Sequence, residues 1–139
     1  MSEPEWRAFV THGTRTAALA TTRADGRPHV APIWFVLDDD GSVVFTTAAD
    51  SVKGKALRRD PRVALCVDDE TPPFAFVLIE GTATVIADLD ELLGWATRLG
   101  GRYMGADRAE AFGRRNAVDG ELLVRVTPER VVARRNIAD

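Results

Sequence analysis

The stretch from Phe45 to Val63, FTTAADSVKGKALRRDPRV, joins two β-rich segments through a short segment of different texture. SVVFTT leads into it and RVALCVDD follows it, and both runs have the apolar and β-branched residues of strands. Between them, Asp50 or Ser51 is a suitable N-cap for a short helix that Pro61 prevents from continuing, because proline lacks the N–H that a helix interior needs. The stretch therefore predicts a strand, a short helix and a second strand in close succession.

The helical part of this stretch is strongly basic. Five Lys and Arg residues lie between residues 51 and 63, whereas the formal net charge of the whole chain is −3. Backbone N–H groups at a helix start attract anions, hydroxyl groups donate hydrogen bonds and a lysine adds a mobile charge, so Thr46, Thr47 and Ser51–Lys55 have the composition of a phosphate site. The competing interpretation is a solvated helix face, and no glycine-rich phosphate loop decides between the two.

Length and composition limit the class of protein. The 139 residues fit one domain, residues 1–139, with 45% hydrophobic and 28% charged residues. No apolar run approaches the roughly 18–20 residues that span a bilayer, so no membrane association is expected. The N-terminus, MSEPEWRAFV, has acidic residues and lacks the apolar segment of a signal peptide, which predicts a cytoplasmic protein.

Charge and metal-ligand residues exclude further classes. A pI near 5.4 argues against a nucleic-acid-binding protein, because such domains are usually basic. The single cysteine, Cys66, cannot build a disulfide framework and agrees with a cytoplasmic location. His12 and His29 are far apart, and the chain contains neither CxxC nor HExxH, so no metal site is predicted.

The remaining sequence predicts more strands and a few helices. Residues 24–26 and 38–41 are turn signals between strands, and FAFVLIEGTATVIAD is the longest β-like run. Helical patterns occur at residues 3–10 and in LDELLGWATRLGGRYMG and DRAEAFGRRN, with Gly100 and Gly101 predicted to interrupt the first of these two. The C-terminal run is expected to be a strand pair or one bent strand broken at Pro128.

About six strands with short connections predict a mostly β fold with added helices, a small and mostly antiparallel barrel. IWFV in the second strand and FAFVLI in the fifth leave little polar surface to turn outward. A half-solvated antiparallel sheet would alternate apolar and polar residues, so the outer face needs another cover. A homodimer that buries the outside of the barrel is the simplest cover.

The order of these elements also resembles a known family. GRPHVAPIWFVLDDDGSVVFTTAADSVKGKALRRDPRVALCVDD, followed by FAFVLIEGTATV, is similar to the pyridoxamine 5′-phosphate oxidase-like split β-barrel superfamily, and most similar to its coenzyme F420-dependent oxidoreductases. The resemblance covers residues 14–85 clearly and the C-terminal strand loosely. It implies a six-stranded split β-barrel that forms a homodimer, with a flavin or deazaflavin in a groove between the protomers.

The resemblance also implies which residues bind the cofactor. Cofactor-phosphate contacts fall on Thr46, Thr47, Ser51 and Lys53, with Lys55 nearby. The strand segment whose main chain runs along the ring system matches Ala31, Pro32, Ile33 and Trp34.

Four departures from the family pattern bear on the cofactor and the activity. The FMN-binding oxidases have an arginine where Val30 aligns, and an SRK triplet where this chain has Val52 between serine and lysine. Their later-strand glutamine aligns with Phe76, and their C-terminal substrate-binding tail is absent. The first two departures weaken FMN phosphate binding, and the last two argue against a true pyridoxamine-phosphate oxidase. The remaining lysines and arginines favour F420, whose phospholactyl-oligoglutamate chain suits spread-out positive charge.

The implied activity is an F420H2-dependent reductase that transfers a hydride to a small unsaturated or quinone-like acceptor. The alternatives are an FMN-dependent oxidoreductase of the same fold, and a non-catalytic protein that binds a flavin, deazaflavin or haem. No catalytic residue is predicted, because the cofactor carries the hydride. Tyr103 and His29 are possible proton donors that have packing or local hydrogen bonding as alternatives, Trp34 either stacks against a ring or packs in the barrel, and Cys66 is expected to be inert.

Overall fold

The structure is a computed structural model that describes residues 1–139. Its elements in chain order are helix α1 (Glu3–Val10), strands β1 (Ala17–Thr22), β2 (Pro28–Ile33), β3 (Val36–Leu37) and β4 (Val43–Ala48), helix α2 (Val52–Arg59), strands β5 (Arg62–Asp69) and β6 (Ala75–Ile86), helix α3 (Leu89–Met104), a 3₁₀ turn (Ala106–Arg108), helix α4 (Ala109–Asn116) and strand β7 (Glu121–Arg134). No helix has the length and apolar character that crossing a membrane requires.

The strands form one antiparallel sheet in the order β2-β1-β5-β6-β7-β4-β3. Its longest pair, β6 and β7, runs from Phe76 opposite Arg134 to Ile86 opposite Leu123. The register shifts by one residue after Glu80, at the point where Gly81 faces Pro128. Such a bulge accommodates a proline that cannot donate to the ladder. The C-terminal segment is therefore one continuous strand, and the expected break at Pro128 does not occur.

Apolar side chains fill the concave side of this sheet. A cluster of 19 buried residues includes Phe45, Leu65 and Val124 from the strands and Trp6 and Val10 from α1. The α1 helix begins with a capping box, in which the Ser2 side chain and the Glu5 side chain bond each other's backbone N–H. Burial of one apolar face holds α1 against the sheet, because short helices owe most of their stability to tertiary packing.

The convex side of β4 and β7 carries a second apolar layer. Leu92 and Leu99 of α3 pack against Val44 of β4 and Leu123 of β7. The α3 helix begins at the N-cap Asp88, whose carboxylate accepts bonds from two backbone N–H groups. This helix and α4 cover one half of the convex surface and define one wall of the cavity described below.

Two further expectations differ from the structure. The sheet has seven strands and not six, because the second predicted strand ends at Ile33, and the chain passes through Trp34 and Phe35 before the two-residue strand β3. The α3 helix also continues through Gly100 and Gly101, which were expected to interrupt it. Gly100 is needed for close packing, since a Cβ there would lie 2.7 Å from the Phe112 Cβ on α4.

The convex side of the other half of the sheet remains open. Strand register places Pro32, Ala18, Cys66 and Leu78 in one row across β2, β1, β5 and β6. All four side chains are exposed or half-buried, although none of them is charged. Small and apolar side chains therefore form a flat surface at this position.

Candidate functional site

A cavity of about 260 Å³ lies where β2, β4 and the start of α2 meet the helices α3 and α4. It is lined by Pro32, Ile33, Trp34, Thr46, Lys53, Leu99 and Phe112. Five of these seven residues are among the nine for which the sequence predicts cofactor binding. Segments that are distant in the sequence, from Pro32 to Phe112, therefore meet in one cavity that has apolar residues and one lysine.

The start of α2 is organised by the Ser51 hydroxyl. Ser51 Oγ accepts from the Gly54 N–H at 3.0 Å and donates to the Ala48 carbonyl at 2.7 Å. Thr47 Oγ1 lies 3.1 Å from Ser51 Oγ and is the donor in that pair, because the one hydroxyl proton of Ser51 goes to Ala48. These two hydroxyls hold the helix in place. The N–H groups of the first α2 residues, Val52 and Lys53, have no acceptor within the helix.

Gly54 permits this helix start to approach the end of β4. A Cβ at residue 54 would lie 2.2 Å from the Ala48 carbonyl oxygen and 3.1 Å from the Ala49 carbonyl oxygen. Contacts that short do not occur between real Cβ atoms and backbone oxygens. The glycine after Lys53 is therefore a packing requirement that positions the lysine.

Only one of the five basic residues near α2 faces the cavity. Lys53 lines it and has no carboxylate within ion-pair distance. Lys55 is exposed and lies outside the cavity, because two residues correspond to about 200° around a helix. The structure thus does not bring Lys55 to the other predicted residues.

The three arginines that follow bind groups of the protein itself. Arg58 donates to the Ala49 carbonyl at 2.8 Å, and Arg59 donates to the last carbonyl of β1 at 2.9 Å. Arg62 forms a two-pronged pair with the Asp60 carboxylate, which lowers the pKa of Asp60 to about 2. Most of the positive charge in this segment therefore fixes α2 to the sheet or stays in solvent.

Two aromatic side chains, Trp34 and Phe112, line the cavity. Trp34 is 40% exposed and stacks on Tyr103 with ring centroids 4.7 Å apart and planes inclined by 9°. Phe112 also stacks on Trp34, with ring centroids 5.7 Å apart and planes inclined by 30°. Trp34 is therefore packed against the helices and still presents part of its ring to the cavity.

Tyr103 is held as an anchor. Its hydroxyl donates to the Arg15 carbonyl at 2.8 Å and accepts from the Phe35 N–H at 3.1 Å. Burial raises the pKa of the Tyr103 phenol, so the group stays protonated at neutral pH. The Tyr103 hydroxyl proton, which the sequence analysis considered as a proton source, is therefore hydrogen-bonded to the Arg15 carbonyl.

The other residues considered from the sequence lie away from the cavity. Ala31 pairs with the buried Leu19 and faces the concave side of the sheet. His29 lies opposite Thr21, and neither His29 Nδ1 nor the Thr21 hydroxyl has a hydrogen-bond partner. Burial raises the pKa of the Cys66 thiol, which disfavours the reactive thiolate. No cluster of three His, Cys, Asp or Glu side chains suitable for a metal ion is present.

Sequence reasoning missed three residues around the cavity, namely Leu99, Phe112 and Glu121. Leu99 and Phe112 line it directly, but their helices could not be placed on the sheet from the sequence alone. Glu121 is half-buried at the first position of β7. Its pKa is raised by burial and lowered in part by Thr46 and Lys53. The one sequence signal for Glu121 was its position directly before the apolar run Leu122–Val124.

A larger cavity of about 540 Å³ lies between α1 and the loop before β6, and it contains none of the predicted site residues. Its charged side chains already pair with each other. Arg15 lies 3.4 Å from Asp69, and Arg135 lies 2.5 Å from Glu5. Its size alone therefore does not make it the better candidate for an anionic ligand.

Comparisons with known proteins identify the family. A family model described as pyridoxamine 5′-phosphate oxidase matches residues 2–135. A curated pyridoxine/pyridoxamine 5′-phosphate oxidase from Alkalilimnicola ehrlichii is 36% identical over 80 residues, which are 58% of this chain and 40% of the relative. The match therefore spans less than half the length of that oxidase.

Solved structures share the fold over nearly the whole chain. A conserved hypothetical protein from Mycobacterium tuberculosis superposes with a TM-score of 0.87 and 31% identity, covering 98% of this chain and 86% of the other. A structure described as an F420 reductase superposes with a TM-score of 0.70 and 23% identity, covering 90% and 94%. At that identity the second likeness establishes the fold alone. The split β-barrel predicted from the sequence is thus confirmed, and this chain belongs to the pyridoxamine 5′-phosphate oxidase family.

Proposed function

We propose that this protein is an F420H2-dependent reductase whose cofactor occupies the cavity between β2, α2 and α4. The observation that carries the proposal is the mixed lining of this cavity. It combines a stacked aromatic pair, Trp34 and Phe112, with Lys53 beside a helix start. A planar ring that bears an anionic chain combines the two chemistries that these residues favour.

The residues present fit such a group. Lys53, Thr46 and the N–H groups at the start of α2 are the donors for an anion, and Pro32, Ile33 and Trp34 would border the ring. When bound, the reduced deazaflavin supplies a hydride to a small unsaturated or quinone-like acceptor. The protein's own part is to orient the ring, to neutralise the anionic chain and to exclude water with the apolar wall.

The charges around the cavity favour the deazaflavin over FMN. Val30 is 63% exposed and Val52 is 47% exposed, at the two positions where the FMN-binding relatives have arginine. The spread-out positive charge expected for the oligoglutamate chain does not line the cavity, where Lys53 is the one basic residue. Against the phosphate itself, a single lysine suits a phosphodiester with one negative charge better than a phosphomonoester with nearly two. An FMN-dependent oxidoreductase is the alternative within the same fold.

A homodimer belongs to the same proposal. The uncharged row formed by Pro32, Ala18, Cys66 and Leu78 is a surface that a second copy of the chain would cover. Pro32 also lines the cavity, so that the partner would close the cavity from the side of β2. A monomer in light scattering at micromolar concentration would contradict this part of the proposal.

A second candidate function is cofactor binding without turnover, with a flavin, a deazaflavin or haem as the ligand. It is favoured by the absence of a free acid among the seven residues that line the cavity, where Lys53 is the one titratable group. Tyr103, the nearest phenol, has its proton engaged by a backbone carbonyl.

Two measurements on the purified apoprotein test the proposal. Titration with F420 and FMN, followed by the change in cofactor fluorescence, is expected to give micromolar binding of F420 and much weaker binding of FMN. Oxidation of reduced F420 is then followed in the presence of quinones and activated alkenes. Tighter binding of FMN than of F420 would contradict the proposal and support an FMN-dependent oxidoreductase. Tight F420 binding without turnover of any acceptor would support a non-catalytic cofactor-binding protein.

A further inference from the structure

A carboxylate that the proposed function does not use lies near Thr46, which lines the cavity. Glu121 is the first residue of β7 and pairs with Ala48 at the end of β4. Thr46 pairs with Leu123, two residues further along β7. Side chains two residues apart share one face of a strand, so Glu121 and Thr46 are diagonal neighbours on the convex face, about 7 Å apart between backbones. Thr46 and Lys53 both line the cavity.

Lys53 is the one charged group that shifts the pKa of Glu121. The Lys53 ammonium on α2 and the Thr46 hydroxyl on β4 both lower the pKa of Glu121. Burial raises the pKa of Glu121, and the Thr46 hydrogen bond and the Lys53 charge partly offset that effect. No charged group of α3 or of the loop before β7 shifts this pKa. In its ionised form the carboxylate therefore offsets part of the attraction that Lys53 exerts on an anion.

We propose that Glu121 selects the cofactor by charge, admitting a phosphodiester that carries one negative charge and disfavouring a phosphomonoester that carries nearly two. The proposal rests on the proposed function, since it concerns the same cavity. A phosphomonoester carries about −1.5 to −2 at pH 7, because its second pKa is near 6, whereas a phosphodiester carries −1. Repulsion from a fixed carboxylate scales with the charge of the group that lies next to it, so a phosphomonoester at this position loses more affinity than a phosphodiester.

The same carboxylate links binding to pH. An anion beside Glu121 raises the pKa of its carboxyl further, so binding draws a proton onto this side chain when the pH lies near that value. Affinity for the phosphodiester therefore rises as the pH falls through the pKa of Glu121 in the complex. It becomes independent of this group at higher pH, where the carboxylate is charged in both states.

The test uses the full-length protein and three variants. F420 and FMN are titrated by fluorescence into the wild type, Glu121→Gln, Glu121→Ala and Asp119→Asn at several values between pH 5 and pH 8. Asp119 is exposed in the turn before β7, so its variant removes an equal charge two residues away. Thermal melts of each variant show that the comparison is made between folded proteins.

The expected result is that both Glu121 variants bind FMN roughly tenfold more tightly than the wild type and gain clearly less affinity for F420. The pH dependence of F420 binding becomes flatter in both variants, while Asp119→Asn follows the wild type. Equal gains for both cofactors, or no change, would overturn the selectivity role while the F420 site stands. If neither cofactor binds to any of the proteins, the proposed function fails and the selectivity role fails with it.

Discussion

Gly54→Ala tests how the α2 start is built. The added Cβ would lie 2.2 Å from the Ala48 carbonyl oxygen, whereas real contacts of this kind stay above 3.0 Å, so the helix or the end of β4 must move by at least 0.8 Å. The Ala48 carbonyl accepts from both the N–H and the hydroxyl of Ser51, so it cannot rotate away as a flexible side chain would. The movement also stretches the bond from the Gly54 N–H to Ser51 Oγ, which caps α2.

The magnitude follows from opposing contributions. Forcing a methyl group into a closed space costs about 1–3 kcal/mol, and loss of an N-cap costs about 1 kcal/mol. Replacing glycine with alanine in a helix returns up to about 1 kcal/mol. The net expectation is a loss of about 2 kcal/mol in the free energy of unfolding. For a chain of this size that corresponds to a fall in Tm of about 6 °C.

A matched substitution separates packing from helix propensity. Gly94 lies on the exposed side of α3 with nothing within 4 Å of its virtual Cβ. Gly94→Ala is therefore expected to raise the free energy of unfolding, by up to about 1 kcal/mol. Both variants are measured by urea titration and thermal melting. If Gly54→Ala is as stable as Gly94→Ala, the close approach of α2 to β4 is not what requires glycine, and the argument for the site's construction is refuted.

Tyr103→Phe removes the hydroxyl that bonds the Arg15 carbonyl and the Phe35 N–H, which should lower the free energy of unfolding by about 1–2 kcal/mol in urea titration; an unchanged midpoint would contradict the anchor role. The Cys66 thiol, with its raised pKa, should react with iodoacetamide more slowly at pH 8 than a free cysteine and accelerate as the pH rises further, and an equal rate would disprove its burial. Ala18→Glu places a charge in the proposed dimer surface and should give a folded monomer in light scattering, whereas a persistent dimer would move the interface elsewhere.

Much of the fold is encoded locally and could be predicted. Ser2 and Pro4 indicate the start of α1, and the helix spans the expected residues. Ser51 caps α2 as predicted, and Pro61 follows its end. These features depend on side chains that satisfy nearby backbone groups, so their signal lies within a few residues of sequence.

The failures have a common physical origin in distant contacts. Trp34 and Phe35 look like strand residues, but they leave the sheet because Trp34 stacks on α3 and Phe35 bonds with Tyr103. Gly100 looks like a helix breaker, yet it is tolerated because α4 packs against it. Pro128 is accommodated by a bulge in its own strand, where Glu129 has no partner on β6. None of these contacts is visible in the local pattern.

The sequence predicted which residues lie at the candidate site better than it predicted what each residue does there. Trp34, Thr46 and Lys53 do meet in one cavity. The basic cluster is a weaker signal, because Arg58, Arg59 and Arg62 serve the structure of α2 and its connection. Which side of a short helix faces a cavity depends on where that helix is placed, and the sequence alone does not determine this.

The central claim is that Lys53 at the start of α2 holds the anionic chain of the cofactor. The most direct test is the dissociation constant of F420 for Lys53→Ala, with Lys55→Ala and Arg23→Ala as charge-matched controls that lie outside the cavity. Loss of one charge-assisted hydrogen bond, about 1.5–3 kcal/mol, predicts roughly 10- to 100-fold weaker binding for Lys53→Ala. The controls are expected to stay within about twofold of the wild type, because exposed charges are screened. Undiminished binding by Lys53→Ala, or an equal loss in all three variants, would contradict the assignment of this cavity.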